Sequence, residues 1–276
     1  MKWLRVSRRH PCPVCRKTDW CGYSEDGRLA ICMRVPSDRP TRNGGYLHRL
    51  TDDPLPPVPV PPKPAKPPPR DVLSFCDILK HSPCMHALQG LAKSLGVSTA
   101  ALVDLQAVWF ESHSAWAFPM RGGDGKVIGI RLRAIDGRKW SRRGSREGLF
   151  YAERIPEDRT AVICEGPTDT AAAITMGLWA VGRPSCMGGI EHLKALARRF
   201  RLQYAVIVGD NDPPKPRPQG GYWQPGLEGA RRLMSSLKLP CKLLIPPAKD
   251  IRAWLQAGAT RDDFEALAKQ QDWRHT

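Results

Sequence analysis

A run of prolines interrupts this sequence after its first fifty residues. Residues 54–70 read PLPPVPVPPKPAKPPPR, and ten of these seventeen residues are proline. Proline lacks a backbone N–H donor and fixes φ, so the run favours polyproline II and cannot form a core. We interpret residues 51–70 as a semi-rigid linker that spans roughly 50 Å between residues 1–50 and 71–276. A docking site for a proline-recognising domain is the alternative interpretation.

The segment before the linker contains four closely spaced cysteines: Cys12, Cys15, Cys21 and Cys32. The first two have the spacing of a zinc knuckle, in which both thiolates reach one ion at about 2.3 Å. The other two can complete a tetrahedron, but they do not form a second CxxC pair, so His10 and His48 remain rival ligands. We predict one structural zinc ion in a small β module over residues 1–50, which needs a metal to be stable. Four unliganded thiols are the alternative.

The remaining five cysteines are scattered, and the total of nine is odd. A secreted disulfide scaffold would be shorter and more densely cross-linked. We therefore expect reduced thiols and a cytoplasmic protein. Trp20 lies beside a predicted zinc ligand, and we expect it in the core of the module.

The charge balance indicates a polyanionic partner. The chain carries 43 Lys and Arg residues against 27 Asp and Glu residues, a formal net charge of +16. An excess of this size is typical of proteins that bind nucleic acid or an anionic surface. No apolar run approaches the ~18 residues that a membrane span requires, so we expect no membrane partner.

Residues 71–157 predict a small mixed α+β subdomain with a basic surface. Apolar residues at three- and four-residue spacing predict helices in 71–105, and AWAFPMR and KVIGIRLRA predict strands joined by a GGDG turn. Strand alternation places Arg131 and Arg133 on one face, opposite Ile130 and Leu132. The candidate nucleic-acid-binding residues are Arg121, Arg131, Arg133, Lys139, Arg142 and Arg143. A solvated charged face without a ligand is the alternative.

Short apolar runs alternate with helical segments over residues 158–276, which predicts a parallel α/β sheet. The predicted strands are 160–164, 204–208 and 241–245. The predicted helices are 168–177, 189–200, 226–237 and 250–258.

Each predicted strand is followed by acidic residues. Glu165 and Asp169 follow the first strand, Asp210 and Asp212 the second, and Asp250 the third. Ligands of an open parallel sheet bind beyond the carboxyl ends of its strands, so we expect these acids to meet at one rim. Carboxylates gathered there suit Mg²⁺. Helix capping is the alternative role for these acids.

A strand-ending Glu-Gly-x-x-Asp followed about forty residues later by Gly-Asp-x-Asp resembles the Toprim domain of primases, topoisomerases and some nucleases. The resemblance covers about residues 158–258. It implies that Glu165 handles the proton of a hydroxyl, that Asp210 and Asp212 hold metal, and that Asp169 and Asp250 support them. The loop after Asp212 is longer than the usual link, and in it Lys215 and Arg217 are candidates for binding nucleotide phosphates. A solvated loop without a ligand is the alternative.

The order of zinc module, linker, basic subdomain and Toprim resembles bacterial DNA primases and the primase half of phage primase-helicases. The segment GSREGLF also resembles the entry to the catalytic half of those enzymes. The resemblance implies RNA primer synthesis from ribonucleoside triphosphates on single-stranded DNA, with two Mg²⁺ or Mn²⁺ ions. It also implies a replicative helicase in trans, because the chain has no GxxxxGK[ST] phosphate loop. A Toprim nuclease and a non-catalytic nucleic-acid-binding scaffold remain alternatives.

Overall fold

The computed structural model describes residues 2–41, 44–51, 84–154, 156–216 and 221–274. The chain divides into two compact units, residues 1–66 with 215–223, and residues 67–214 with 224–276. The proline run, residues 71–83 and Arg217 lie outside the described residues. The domain boundaries proposed above therefore stay a prediction.

An antiparallel sheet in the order β1-β2-β3-β4 builds the N-terminal unit. Its strands are β1 (Trp3–Arg5), β2 (Gly22–Ser24), β3 (Leu29–Cys32) and β4 (Tyr46–Arg49). The buried cluster of this sheet is small and consists of Val6 with three of the four cysteines. Such a cluster supplies little hydrophobic stabilisation, which is the situation in which a bound metal matters most.

Two helices and a second antiparallel sheet precede the α/β part. Helix α1 ends at Gly96, which takes the left-handed conformation with φ 66°, and Ser98 caps α2 by accepting the N–H of Ala101. The sheet has the order β5-β6-β7-β8. The elements are α1 (Met85–Leu95), α2 (Thr99–Asp104), β5 (Val108–Phe110), β6 (Ala115–Arg121), β7 (Val127–Ala134) and β8 (Lys139–Ser141).

A five-stranded sheet in the order β15-β12-β10-β11-β9 forms the centre of the larger unit. Four strands are parallel, and β9 at the edge is antiparallel. The strands are β9 (Phe150–Tyr151), β10 (Thr160–Glu165), β11 (Ala180–Arg183), β12 (Tyr204–Val208) and β15 (Cys241–Leu244). A separate strand pair, β13 (Lys215–Pro216) with β14 (Tyr222–Trp223), falls in the other unit. The helices are α3 (Gly166–Thr175), α4 (Ile190–Phe200), α5 (Pro225–Ser236), α6 (Ile251–Gln256) and α7 (Arg261–Lys269).

Both faces of this sheet are covered by apolar side chains. One face carries Val162 and Val206 and packs against helices that include α1 and α3. The other carries Ile163, Val181 and Ile207 and packs against α4 and α5. Parallel strands buried on both faces explain the continuous apolar runs in the sequence. The fold class predicted from the sequence, a parallel sheet flanked by helices with smaller antiparallel parts before it, is confirmed.

The sequence pattern missed several elements of the larger unit. It did not predict the strands β9 and β11 or the helix α7, and it began α3 two residues too late. The segment Ala180–Arg183 reads AVGR, and one short apolar pair ending in an arginine carries no clear periodic signal. Helix α3 begins at Gly166, directly after β10, so Glu165 is both the last residue of the strand and the N-cap of the helix. Within the described residues, no helix is long and apolar enough to cross a membrane.

Strand β11 and the start of α3 approach each other closely at Gly182. A Cβ atom at this position would overlap Thr170 Oγ1 and lie 2.7 Å from the carbonyl oxygen of Gly166. We predict that Gly182→Ala lowers the free energy of unfolding by about 1–3 kcal/mol, because overpacking forces the strand and the helix apart. The matched control is Gly90→Ala in α1, where the added Cβ meets nothing within 4 Å. Thermal melting measures both variants, and equal melting temperatures would contradict the close approach.

Candidate zinc centre and acidic rim

The four cysteines of the N-terminal unit converge on one point. Their Sγ atoms all lie within 4.8 Å of one another, and those of Cys15 and Cys21 are 3.7 Å apart. Four sulfurs placed at about 2.3 Å from one ion in a tetrahedron are about 3.8 Å apart, so the arrangement fits zinc. None of the four forms a disulfide.

Backbone N–H groups surround the cluster and would stabilise thiolates. The N–H of Met33 points to Cys21 Sγ at 3.4 Å, and that of Val35 points to Cys32 Sγ at 3.2 Å. Neither rival histidine joins the sulfurs. His48 Nε2 lies instead 3.0 Å from the carbonyl oxygen of Val35. The predicted all-cysteine set is therefore the one that the structure brings together.

Trp20 does not belong to the core of this unit, so our expectation for this residue is wrong. Its side chain is 76% exposed, and its backbone has a positive φ of 63°. The left-handed backbone at Trp20 precedes Cys21, whose thiol points inward while the indole points outward. Packing in so small a module is determined by the cysteines rather than by the largest apolar side chain.

The acidic residues of the larger unit meet at the carboxyl edge of the central sheet. Glu165 ends β10, and Asp169 lies in the first turn of α3. Asp210 and Asp212 follow β12, which pairs with β10 in parallel, and Asp250 is the N-cap of α6, where it accepts the N–H of Ala253 at 2.7 Å. We call this set of five carboxylates the acidic rim.

The carboxylates of the acidic rim influence one another electrostatically. Burial raises the pKa of Asp169 to about 7, and the charge of Asp250 adds to this effect. Burial also raises the pKa of Asp210 to about 7, with further contributions from Glu165 and Asp169. Mutual repulsion of this kind is typical of carboxylates assembled to receive a cation.

The carboxylate oxygens of the acidic rim do not form a complete set of metal ligands by themselves. Among the described residues, only the four cysteines bring three or more ligand atoms within 4.8 Å of one another. The donor chemistry fits Mg²⁺ or Mn²⁺, which take a few carboxylates and keep several waters. The structure thus brings the predicted acids to one edge without gathering three of their oxygens within 4.8 Å of one another.

Arg183 is a rim residue that the sequence analysis missed. It ends β11 directly opposite Glu165 in the parallel register and is only 2% exposed. Its Nε and Nη1 atoms have no hydrogen-bond partner among the described residues, and its charge interacts with those of Glu165 and Asp210. The only available signal was an arginine at the end of a short apolar run, in a strand that periodicity did not detect.

The predicted nucleic-acid-binding residues have different environments. Strand β7 buries Ile130 and Leu132 and leaves Arg131 and Arg133 half-buried on the other face, as the alternation predicts. Both arginines on that face have internal partners. Arg131 donates to the carbonyl oxygen of Pro184 at 3.1 Å, and Arg133 interacts electrostatically with Asp169.

The other basic candidates range from buried to exposed. Arg121 is held inside by Gly125 and Gln106, and its side chain is 12% exposed. Arg142 lies over the ring of Phe110 at 5.8 Å. The exposed candidates are Lys139, Arg143 and Lys215. Lys139 also interacts with Asp169 and Asp250, so it belongs to the surroundings of the acidic rim.

Comparison with known proteins shows which solved structures have a similar fold. No family model and no curated relative matches the chain. Its structure is similar to a DNA primase domain from Pseudomonas aeruginosa, with 18% identity, a TM-score of 0.53 and coverage of 72% of this chain and 77% of that one. It is also similar to the zinc-binding and RNA polymerase domains of the Aquifex aeolicus primase, with 15% identity, a TM-score of 0.54 and coverage of 74% and 60%.

A third similar structure is a DnaG primase catalytic domain bound to single-stranded DNA, with 15% identity, a TM-score of 0.51 and coverage of 71% and 75%. The chain therefore has the fold of the primase catalytic core, and the resemblance stated from the sequence is confirmed at the level of the fold.

We predict that the full chain carries one zinc ion, measured by elemental analysis after purification. Cys12→Ser should lose the ion, because a hydroxyl replaces one of four thiolates, and the N-terminal unit should then become sensitive to protease. His48→Ala should keep it, since the imidazole contacts a carbonyl oxygen and not the sulfurs. Cys241→Ser, at a buried thiol of the larger unit, controls for general destabilisation. Zinc retained in Cys12→Ser would refute the site.

We predict that the protein in magnesium-free buffer loses stability as the pH rises from about 4 to about 7. The folded pKa values of Asp169 and Asp210 lie near 7, above the usual value of 3.8, so the folded chain binds more protons in this window. Each carboxyl then lowers the free energy of unfolding by up to ~1.4 kcal/mol per pH unit, and the effect ends above pH 7.

Denaturant melts across this range measure that slope. Asp210→Asn should flatten it, because the amide cannot be ionised, whereas Asp262→Asn, at an exposed position of α7, should leave it unchanged. A slope that Asp210→Asn does not alter would contradict the electrostatic description of the rim.

Proposed function

We propose that this protein is a DNA primase, which joins ribonucleotides into short primers on single-stranded DNA. The observation that carries the proposal is the convergence of Glu165, Asp169, Asp210, Asp212 and Asp250 at the carboxyl edge of a primase-like sheet. A Cys₄ group in the same chain adds to it, because a matched primase structure also includes a zinc-binding domain. In our proposal, the acidic rim is a catalytic site of the Toprim type.

Divalent ions bound at the rim would polarise the triphosphate and neutralise the charge that develops on the pyrophosphate leaving group. Asp210 and Asp212 would hold such an ion, since they follow a buried strand and are fixed by its backbone. Asp169 and Asp250 would support them from α3 and α6. A nuclease would use the same groups, and the products of the reaction distinguish the two activities.

Glu165 would accept the proton of the attacking 3′-hydroxyl. Burial raises the pKa of its carboxyl, while Arg183 and the backbone N–H of Cys186 oppose that rise. A carboxylate whose pKa lies closer to neutrality is a better general base than an exposed one. The end of β10 fixes the position of Glu165, so the base is held on a rigid element.

Basic residues would bind the polyanionic substrates. Lys139, beside the rim, would contact the triphosphate, and Arg131, Arg133 and Arg142 would line the approach to it from the second sheet. Arg143 and Lys215 are exposed and would contact DNA phosphates, and Arg217 is proposed for the same role from the sequence alone. Arg121 makes internal contacts and is the weakest of these candidates.

The partners follow from this activity. The template is single-stranded DNA, the substrates are ribonucleoside triphosphates, and the zinc module would bind the template near the first nucleotides. We propose a cytoplasmic protein that works with a replicative helicase supplied as a separate chain.

The test incubates the protein with single-stranded DNA, labelled ribonucleotides and Mg²⁺ or Mn²⁺, and resolves the products on a gel. We predict short RNA oligomers and an uncleaved template. Glu165→Gln, Asp210→Asn and Asp212→Asn should each reduce synthesis by about 10²-fold or more, because each removes a proton acceptor or a metal-ligand charge.

Melting temperatures of these variants should equal or exceed that of the wild type, since neutralising one member relieves repulsion in the rim. Asp262→Asn is the matched control and should keep full activity. Cleaved template without oligomers would favour a nuclease, and full synthesis by Glu165→Gln would overturn the role given to that residue.

A further inference from the structure

Cationic side chains penetrate the acidic rim and are distributed unevenly within it. Arg252, in the first turn of α6, lies two residues after the helix-capping Asp250. Its Nε atom is 3.9 Å from Oδ1 of Asp169. Within the part of the chain that the structure describes, neither of these two atoms has a hydrogen-bond partner, although both are buried. The two groups thus compensate each other mainly through charge.

Two further cations act on the same side of the rim. Arg133 on β7 interacts with Asp169, and Lys139 on β8 interacts with both Asp169 and Asp250. The two carboxylates on this side therefore face three cationic groups. A divalent ion placed here would meet a local excess of positive charge, and the repulsion is strongest from Arg252, whose Nε is buried beside Asp169, since buried charges are screened least.

On the opposite side of the rim, negative charges outnumber positive ones. Glu165, Asp210 and Asp212 supply three carboxylates, and Arg183 is the buried cation that interacts with Glu165 and Asp210. The exposed Lys139 also interacts with Glu165, but solvent screens its charge. When ionised, the three carboxylates therefore outnumber the buried cation by two. That excess matches one divalent cation.

We propose that Arg252 takes the place of a second metal ion, so that the rim binds one divalent ion, held by Glu165, Asp210 and Asp212. This inference rests on the proposed function and replaces the two ions that the family resemblance implies with one. Asp169 is then a partner of Arg252 and not a metal ligand. Arg252 is a charge-compensating residue and does not touch the reacting atoms.

The geometry of α3 and α6 supports this assignment. Asp250 already accepts the N–H of Ala253, which fixes the start of α6 and with it the position of Arg252. Asp169 is 9% exposed and lies on the buried side of α3. An ion bound at Oδ1 of Asp169 would lie beside the guanidinium of Arg252, whose Nε is 3.9 Å from that oxygen, and would have to give up some of the waters that Mg²⁺ keeps.

The experiment counts Mn²⁺ bound to the zinc-loaded full chain, without nucleotide, from the electron paramagnetic resonance signal of the free ion. Wild type should bind one ion. Arg252→Gln should bind two, because the glutamine keeps much of the side-chain length and removes the charge. Arg261→Gln is the matched control on α7, where the arginine pairs with Glu265, and it should still bind one.

Two carboxylate variants test the same assignment without changing Arg252. Asp210→Asn should weaken binding of the single ion at least tenfold, whereas Asp169→Asn, which removes a nearby charge but no ligand, should weaken it less than tenfold. If Arg252→Gln does not fold, which melting would reveal, the contrast between these two variants decides. Two ions or none in wild type, one ion in folded Arg252→Gln, or a tenfold loss in Asp169→Asn would overturn the inference.

The ion count tests the inference about Arg252, and the primer assay tests the proposed function, so either proposal can be refuted without the other. One bound ion without primer synthesis would refute the proposed function and leave the inference about Arg252 standing. Primer synthesis with two bound ions would refute the inference about Arg252 and support the proposed function.

Discussion

Parallel pairing of β10 with β11 and β12 is the constraint on which the candidate site depends. Backbone hydrogen bonding aligns the carboxyl ends of these strands, and apolar packing on both faces fixes their register. Residues that lie far apart in the sequence, such as Glu165 and Asp210, are brought to one edge by this pairing alone. A shift of one residue in the register would turn these side chains to the other face.

Assembling the acidic rim works against folding. Burial and mutual repulsion raise the pKa values of Asp169 and Asp210, so the ionised carboxylates destabilise the fold that holds them. The apolar core must offset this electrostatic penalty. Guanidinium groups reduce it as well: that of Arg183 is buried opposite Glu165, and that of Arg252 is partly buried beside Asp169. The same charges that lower the penalty limit how much additional positive charge the rim can accept.

The N-terminal unit depends on a different interaction. Its buried apolar side chains are few, namely three cysteines with Val6, Leu29, Ala30 and Tyr46, and its strands are three or four residues long. Hydrophobic burial on this scale is marginal. The four sulfurs, with backbone N–H groups around them, therefore form both the core of the unit and its candidate metal site. Trp20 is free to face solvent because the core does not need it.

The sequence by itself determined the fold class, the elements with long apolar periods, the four cysteines and the acids that follow each strand. These properties are local, because an apolar run, a cysteine spacing or an acid after a strand can each be recognised within one short segment of the sequence. The tertiary structure alone decided that Arg183 faces Glu165, that Arg252 approaches Asp169 and that Arg121 is enclosed. Each of these contacts joins segments whose proximity depends on strand order and helix packing. The apolar pattern of one segment cannot reveal which charged residue of a distant segment will lie beside it.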